Sequence, residues 1–220
     1  MARVAVLVSG GIDSSILLAD RAKNDDAFPL YVKAGLVWEN QELQVLKQFI
    51  SAVNNPNIHP VTTIQSPVNS LYDNHWSITG DRVPKAGTPT SNLFLPGRNI
   101  LLLSLGALWC GTRSVSRLAI GTLEGNPFPD ATQEFFDDFS KTVSKGLAYP
   151  IGIEAPYLNL TKEDIIESHR DLPLELTLTC MAPNDRMHCG LCNKCDERQS
   201  AFAQSGVTDR THYANMKEQA

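Results

Sequence analysis

A glycine-containing turn near the start of the chain has the residue types of an anion-binding site. The apolar residues 4–8 lead directly into residues 9–14, which read SGGIDS. Two adjacent glycines let the backbone turn tightly and approach a ligand with no Cβ in the way. A helix that begins just after such a turn presents unpaired N–H groups and the positive end of its dipole. The sequence therefore predicts a phosphate-binding loop between a strand and a helix.

The pattern of this loop separates it from two common nucleotide-binding motifs. It lacks the Lys of Gly-x-x-x-x-Gly-Lys-Ser/Thr, and it does not match Gly-x-Gly-x-x-Gly. Ser-Gly-Gly-x-Asp-Ser instead resembles the signature of the PP-loop ATP pyrophosphatases, which implies that the ligand is ATP. The alternative is a plain strand-to-helix turn in which Asp13 or Ser14 caps the helix. The residues predicted to contact the nucleotide are Val8, Ser9, Gly10, Gly11, Ile12, Asp13, Ser14 and Ser15.

Four of the five cysteines cluster in the pattern C-x8-C-x2-C-x2-C. In a reducing compartment such a group is typical of metal ligands rather than of disulfides. Four thiolates at short spacing match a closed, structural Zn²⁺ site, and an iron–sulfur cluster uses the same ligands. His188 is an alternative ligand or a supporting residue, Gly190 allows a tight turn, and Cys110 is expected to be a small core residue. The predicted zinc ligands are Cys180, Cys189, Cys192 and Cys195.

The composition is that of an ordinary globular protein, with 42% hydrophobic and 20% charged residues among 220. A net charge of -5 argues against stable binding to nucleic acid and is compatible with a small anionic substrate in a local pocket. The most apolar stretch, residues 100–110, is too short to span a bilayer. A strand is predicted from the fourth residue, so we expect no secretory leader and a cytoplasmic location.

The spacing of apolar residues predicts an α/β fold with a doubly wound, mostly parallel sheet. We expect an ATP-binding domain over residues 1–170, and a C-terminal zinc-binding segment packed on it over residues 171–220. Thr161 and Asp164 match a capping box for the helix that follows. The predicted strands are 4–8, 30–37, 58–64, 115–120 and 151–157, and the predicted helices include 14–22, 43–53 and 96–110.

Two loop regions are predicted to lie near a ligand. Residues 66–95 are rich in Pro, Gly, Thr, Ser and Asn, which indicates a long surface loop that is either a substrate lid or a variable excursion with Trp76 packed on the core. A second loop follows the strand predicted at 115–120, and ligands bind beyond the carboxyl ends of strands in open α/β sheets. For Asp130 the favoured alternative is capping of the next helix. The predicted substrate contacts in this second loop are Thr122, Glu124, Asn126 and Asp130.

Four segments in order resemble one family of PP-loop enzymes. These are residues 9–14, residues 96–99, the Leu-Thr-Lys segment at 160–162 and the cysteine cluster, and together they resemble the 7-cyano-7-deazaguanine synthases, the QueC family. The likeness extends along almost the whole chain. It implies an α/β fold of the adenine nucleotide alpha hydrolase type with a C-terminal zinc segment, Mg-ATP as cosubstrate, and a homodimer.

The resemblance also implies a reaction. The family converts 7-carboxy-7-deazaguanine and ammonia into the nitrile through adenylated intermediates, for the synthesis of queuosine-type bases. Arg98 and Lys162 are candidate catalytic residues that stabilise the charge of departing pyrophosphate, and Arg98 is also a candidate substrate contact. Their alternatives are a helix-start ion pair for Arg98 and a surface salt bridge for Lys162. Asp13 is a candidate ligand of Mg²⁺ that can also cap the first helix.

Two segments depart from the family pattern where the substrate is expected. Residues 36–41 read LVWENQ in place of Tyr-Gly-Gln-Arg-His, and residues 121–130 read GTLEGNPFPD in place of Asp followed by Gly-Tyr-Pro-Asp-Cys. A QueC-like ligase that transfers a deazaguanine or another acid to a different amine, on a protein for example, is therefore an alternative. A tRNA-thiolating enzyme and a catalytically inactive nucleotide-binding module that recruits a protein partner are two others.

Overall fold

The computed structural model describes residues 1–215, and residues 216–220 of the predicted zinc segment lie outside the described residues. Within the described part, five parallel strands form one sheet in the order β3-β2-β1-β4-β5. The chain therefore winds outward from β1 in both directions, which confirms the predicted doubly wound α/β fold. The strands are β1 (Ala2–Leu7), β2 (Asp25–Lys33), β3 (Thr62–Gln65), β4 (Arg117–Ala119) and β5 (Gly152–Glu154).

Helices cover both faces of the sheet. On β1, Val4 and Val6 pack toward α1, α2, α7 and α8, whereas Ala5 and Leu7 pack toward α5 and α6. A parallel strand covered on both faces is apolar throughout, which explains the unbroken hydrophobic run at the start of the chain. The helices are α1 (Ile12–Arg21), α2 (Glu39–Val53), α3 (Asn69–Tyr72), α4 (Trp76–Thr79), α5 (Arg98–Thr112), α6 (Gln133–Leu147), α7 (Lys162–Ser168) and α8 (Asn193–Ser205).

The most apolar helix belongs to the core of the sheet. One side of α5 packs on β1 and β4 through Leu103, Ala107 and Cys110. Among residues 1–215, no helix combines the length and the apolarity that crossing a membrane requires. The predicted capping box is confirmed at the start of α7, where Thr161 and Asp164 each bond the other's backbone N–H.

The predicted bounds of the second and third strands are wrong. Strand β2 begins at Asp25 instead of residue 30 and ends at Lys33, and β3 begins at Thr62 instead of residue 58. Two aspartates make the start of β2 look polar, but each finds a partner on a neighbouring element. Arg117 Nη1 lies 2.8 Å from an Asp25 oxygen, and the His59 ring lies 3.4 Å from an Asp26 oxygen.

Residues 66–95 are not the unstructured surface loop that their composition predicts. They contain α3, α4 and a 3₁₀ helix at Thr90–Leu93, and they dock on the cysteine segment. Ala86 N donates to Leu191 O at 3.0 Å, and Asn193 N donates to Pro84 O at 3.0 Å. This docking fixes the segment because its backbone groups find partners about 100 residues away in the chain.

Candidate functional site

A cleft of about 320 Å³ lies beyond the carboxyl ends of β1 and β4. This is the point where the winding of the sheet reverses, and it is the usual ligand site of open α/β folds. Gly10, Ile12 and Ser15 are buried behind the wall of the cleft, whereas Glu124 is exposed and lies outside its lining. The predicted residues that line the cleft are Val8, Ser9, Gly11, Asp13, Ser14, Arg98, Thr122, Asn126, Asp130 and Lys162.

The glycine loop is held by contacts that only a residue without a side chain allows. Gly10 has a φ of +76°, and a Cβ there would lie 2.6 Å from the backbone oxygen of Glu42. Its own carbonyl accepts a hydrogen bond from Leu178 N at 2.8 Å. The loop is therefore fixed between the first turn of α2 and the chain that leads to the cysteine cluster.

The serines of the loop bond to the loop itself, and the helix start has no side-chain cap. Ser9 N donates to Ser14 Oγ at 3.1 Å, and Gly11 N donates to Ser9 Oγ at 3.3 Å. Helix α1 begins at Ile12 with Gly11 as its N-cap. The alternative in which Asp13 or Ser14 caps this helix is therefore wrong. With no side chain bonded to the helix N-terminus, the first turn can meet an anion.

A partly buried ion-pair chain runs from the loop to α8. Lys162 Nζ lies 3.4 Å from Asp13 Oδ2 and also contacts Glu197 Oε1. Burial alone would lower the pKa of Lys162, but the two carboxylates outweigh it and hold the pKa above its usual range. Burial acts on Glu197 in the opposite sense, yet Lys162 and Lys194 lower its pKa to about 2. Lys162 is thus a mostly buried cation at the loop rather than the alternative, a surface salt bridge.

The second oxygen of Asp13 fits a bound cation. Asp13 Oδ1 is buried and has no hydrogen-bond partner among the described residues. A buried carboxylate oxygen without a partner is costly, and an ion that is not part of the protein is one of its ordinary explanations. Carboxylate oxygen is also the ligand that Mg²⁺ prefers. The residues at the loop therefore fit Mg²⁺ together with an anion.

Arg98 and Asp130 both lie at the start of α5. Arg98 lines the cleft, and the ion pairs found within residues 1–215 do not include it, so its helix-start alternative is not observed. Asp130 Oδ2 accepts a hydrogen bond from Asn99 N at 3.1 Å and so caps α5. The expected capping of the next helix by Asp130 is wrong, because Thr132 caps α6. The hydrogen bond from Asn99 to Asp130 joins residues 31 positions apart, so it could not be predicted from the local sequence.

Two acidic residues of α2 in the cleft wall were missed by the sequence predictions. Glu42 accepts a hydrogen bond from Tyr31 Oη at 2.8 Å, and burial raises the pKa of its carboxyl to about 8. Glu39 accepts from the N–H groups of Ala34 and Gly35, at 2.5 and 3.0 Å. Glu39 and Glu42 are three residues apart and continue the apolar stripe of α2. This spacing is the sequence signal that could have shown that both side chains face inward.

Aromatic rings form another part of the cleft wall. Trp38 stacks on Trp76 with ring centroids 5.7 Å apart, and Phe94 stacks on Phe128 at 5.0 Å. All four residues line the cleft. Trp76 and Phe94 belong to residues 66–95, so this segment contributes to the site as well as packing on the body of the protein. The flat rings provide surfaces on which a planar ligand can stack.

The four clustered cysteines have the geometry of a tetrahedral metal site. Their sulfur atoms all lie within 4.8 Å of one another, with individual separations of 3.5 Å, 3.9 Å and 4.0 Å. Tetrahedral Zn²⁺ with bonds of about 2.3 Å places its sulfurs roughly 3.8 Å apart, so the set fits zinc. Backbone N–H groups point at the sulfurs, as with Cys189 N to Cys180 Sγ at 3.2 Å. The residues that could hold the metal are Cys180, Cys189, Cys192 and Cys195.

Residues around the cluster have supporting positions. His188 is buried, and its Nε2 faces Thr179 N at 3.2 Å, which favours the supporting role over ligation. Gly190 has a φ of +81°, and a Cβ there would lie 1.9 Å from Asn215 O. Cys110 is remote from the cluster, and burial raises the pKa of its thiol to about 12. Its predicted role as a small core residue is confirmed.

Comparison with known proteins identifies the family. The family model described as "Queuosine biosynthesis protein QueC" matches residues 3–206. The chain belongs to this family. The 7-cyano-7-deazaguanine synthase of Methanothrix thermoacetophila is 27% identical over 231 residues, covering 97% of this chain and 99% of that one. The enzyme of the same name from Methanospirillum hungatei is 30% identical over 220 residues, covering 96% and 99%.

Two further likenesses are more limited in extent. The 7-cyano-7-deazaguanine synthase of Methanothermobacter thermautotrophicus is 34% identical over 125 residues, which cover 55% of this chain and 56% of that protein. A solved structure titled as a predicted subunit of tRNA methyltransferase from Methanocaldococcus jannaschii has a TM-score of 0.49 and 14% identity, covering 75% of this chain and 72% of that one. The predictions of the family and of an enzyme within it are confirmed by the QueC match.

Proposed function

We propose that this QueC-family enzyme is an ATP-dependent ligase that converts 7-carboxy-7-deazaguanine and ammonia into 7-cyano-7-deazaguanine. The names of relatives that align along nearly their whole length support this product. The observation that carries the proposal is the meeting of Asp13, Arg98 and Lys162 with the glycine loop in one cleft, although these residues lie far apart in the sequence. The product would enter the synthesis of queuosine-type deazapurines.

The first half of the reaction uses the loop and its cations. A carboxylate oxygen of the substrate attacks the α-phosphorus of ATP, and pyrophosphate leaves. The N–H groups at the start of α1 and the Lys162 ammonium stabilise the charge that moves onto pyrophosphate. Arg98 offers a planar pair of donors to the carboxylate. Asp13 would hold Mg²⁺, which neutralises phosphate charge when bound.

The second half removes both oxygens of the original acid. Ammonia attacks the acyl carbon, AMP leaves with one carboxylate oxygen, and loss of a proton gives the primary amide. The amide oxygen then attacks the α-phosphorus of a second ATP, and a second pyrophosphate leaves. AMP then leaves with the amide oxygen, and the nitrogen loses its two remaining protons. The product is the nitrile. Thr122 and Asn126 are proposed substrate contacts, whereas the exposed Glu124 has no support from its position in the structure.

The aromatic part of the cleft suits the ring system of this substrate. Trp38 and Trp76 offer stacking surfaces within the same cleft as Arg98. A deazaguanine is planar, so stacking on an indole would orient its carboxylate relative to the loop. Of the two roles predicted for residues 66–95, the substrate lid is therefore the one we propose, although Trp76 also packs on the core as the other role expects.

The cysteine cluster would hold structural Zn²⁺, because all four ligand positions are supplied by the protein. We retain as proposals the division into residues 1–170 and 171–220, the cytoplasmic location and the homodimer. The negative net charge supports a small-molecule substrate over stable nucleic-acid binding. Light scattering of the purified protein tests the dimer, for which the expected mass is twice the chain mass.

Release of pyrophosphate and AMP tests the reaction. Wild-type protein is given ATP, Mg²⁺ and 7-carboxy-7-deazaguanine, with and without ammonium, beside Asp13→Ala and the control Asp138→Ala. Asp138 is an exposed carboxylate on α6, so its loss leaves the site intact. We expect acid-dependent release by wild type and Asp138→Ala, and at least a hundredfold loss in Asp13→Ala, since metal ligation and Lys162 pairing are both removed. Equal rates in both variants would contradict the role of Asp13.

A different amine acceptor is the second candidate. It is favoured by residues 36–41, where the chain departs from the family pattern and where Trp38 and Glu39 line the cleft. Mass spectrometry separates the two outcomes. With ammonium as the only amine, a nitrile product supports the synthase. Pyrophosphate release with an amide product only when a larger amine is supplied supports the alternative, and ATP binding without pyrophosphate release identifies an inactive module.

A further inference from the structure

Lys194 connects the cysteine cluster to the cleft. It lies between Cys192 and Cys195 in the sequence, in the first turn of α8, and it lines the same cleft as the glycine loop. Lys194 Nζ donates to Glu197 Oε2 at 2.5 Å, while the other oxygen of Glu197 contacts Lys162. One carboxylate therefore holds two ammonium groups side by side next to the loop.

The two ammonium groups differ in how many partners they have. Lys162 is mostly buried and is paired with both Asp13 and Glu197. Lys194 is 31% exposed, and Glu197 is its ion-pair partner within residues 1–215. An ammonium group carries three N–H donors, so Lys194 has donors left to offer a ligand in the cleft. A polyphosphate needs several such donors, because it carries more charge than one lysine can neutralise.

The backbone beneath Lys194 is fixed from both sides. Cys192 N donates to Cys189 Sγ at 3.3 Å, inside the metal-binding cluster. Asn193 N donates to Pro84 O at 3.0 Å, and Asn193 Nδ2 donates to Thr88 O at 2.5 Å. A cation on a backbone held this way is presented to a ligand with little loss of entropy on binding. The cysteine cluster thus gives Lys194 a defined position as well as fixing the C-terminal segment.

We propose that Lys194 is a second phosphate-binding lysine, which contacts the β- and γ-phosphates of ATP and the pyrophosphate that they become. Glu197 is its positioning residue, because it holds Lys194 and Lys162 together when the cleft contains no anion. This inference rests on the proposed function and adds to it a link between the metal-binding segment and the nucleotide. The chemical class of the ligand is a polyphosphate rather than the carboxylate of the acid substrate.

Binding of inorganic pyrophosphate and of α,β-methylene-ATP tests the assignment. Calorimetry compares the full-length wild type with Lys194→Met and with the control Lys141→Met, which removes an exposed i, i+3 ion pair outside the cleft. We expect Kd for both ligands to rise about tenfold or more in Lys194→Met and to stay unchanged in the control. Bound metal, measured by mass spectrometry, should stay equal in all three proteins.

Other outcomes overturn the proposal. Equal Kd values in Lys194→Met and Lys141→Met would give Lys194 a structural role alone, and a higher KM for the acid with unchanged Kd for pyrophosphate would place it at the acid. If Lys194→Met does not fold, Lys194→Gln replaces it, with the same expectations. These binding measurements do not depend on turnover. A wild type that binds pyrophosphate through Lys194 and releases none from ATP would therefore contradict the proposed function and leave this inference intact.

Discussion

The glycine loop and the cysteine cluster share one backbone feature and differ in the partners of their polar groups. Each contains a glycine in the left-handed region, Gly10 or Gly190, whose Cβ would strike a backbone carbonyl of a distant segment. In the cluster, N–H groups point at the protein's own sulfurs, as Leu191 N does at Cys189 Sγ. In the loop, within residues 1–215, Asp13 has an oxygen without a partner and the helix start has no side-chain cap.

This difference is the one expected between the two proposed sites, of which one keeps its ligand and the other exchanges it. A cluster with four protein ligands is closed to substrate and contributes to folding. A loop with unused donors and an unpaired carboxylate oxygen favours a ligand that arrives and leaves. The two regions meet at Glu197, which follows the cluster in sequence and contacts the cation beside the loop. Variants that damage one region and spare the other test this division.

Loss of one metal ligand should have the largest effect. Cys192→Ser is expected to lose bound metal and to lower Tm by roughly 10 °C or more, since a zinc site contributes on the order of 10 kcal/mol of apparent binding energy. Metal analysis and thermal unfolding measure both quantities. The control Cys110→Ala removes a buried thiol outside the cluster and should keep the metal. A Cys192→Ser protein with full metal and unchanged Tm would show that the cluster is not the binding site.

Insertion of one methyl group should disable the loop. Gly10→Ala is expected to lose measurable binding of α,β-methylene-ATP and roughly 2 to 4 kcal/mol of stability, because the Cβ meets Glu42 O at 2.6 Å and the residue has a positive φ. Gly87→Ala is the control, since Gly87 has a φ of +77° and nothing lies within 4 Å of its Cβ. It should lose about 1 kcal/mol and keep nucleotide binding. Equal losses of binding would refute the steric account.

The buried carboxyl of Glu42 should make stability depend on pH. Its pKa in the folded protein is raised from 4.5 to about 8, so the folded chain keeps a proton that the unfolded chain has released. The stability of wild type relative to Glu42→Gln should therefore fall by roughly 3 to 4 kcal/mol as pH rises from about 5 to about 8. Denaturant titrations at several pH values measure this. Glu124→Gln, an exposed control, should follow wild type, and a parallel response of Glu42→Gln would contradict the prediction.

The smallest effect is expected at the cap of α7. Thr161→Ala removes a capping hydrogen bond directly before Lys162 and should cost about 1 kcal/mol of stability and weaken nucleotide binding a few-fold. Thr132→Ala removes the corresponding cap of α6 at a similar cost, and it should leave nucleotide binding unchanged. Chemical denaturation and calorimetry give the two quantities. Equal nucleotide affinities in both variants would show that the cap does not position Lys162.

Local patterns were sufficient to predict the glycine loop between a strand and a helix and the grouping of the four cysteines. The loop depends on consecutive residues after a strand, and the cluster depends on cysteine spacing, so neither needs distant information. The fold class followed from apolar periodicity, which is also local. The proposed division of the chain near residue 170 stays a prediction.

Residues whose role depends on a distant partner were predicted poorly. Asp25 fell outside the strand predicted at 30–37, because its partner, Arg117, is on another strand. Asp130 looked like a cap for the helix that follows it, but its partner Asn99 precedes it by 31 residues. Lys194 lies between two cysteines of the cluster and was not singled out from the sequence. Only the fold shows that it lines the cleft. In each case the missing information is a tertiary contact.

Transfer of labelled oxygen tests the central claim most directly. The acid substrate is prepared with ¹⁸O in its carboxylate and incubated with wild-type enzyme, Mg-ATP and ammonium, and the phosphorus products are analysed by mass spectrometry. If the loop directs attack of the acid on the α-phosphorus, AMP carries the label and pyrophosphate does not. Label in inorganic phosphate, with ADP as the other product, would show attack at the γ-phosphorus and would contradict the account.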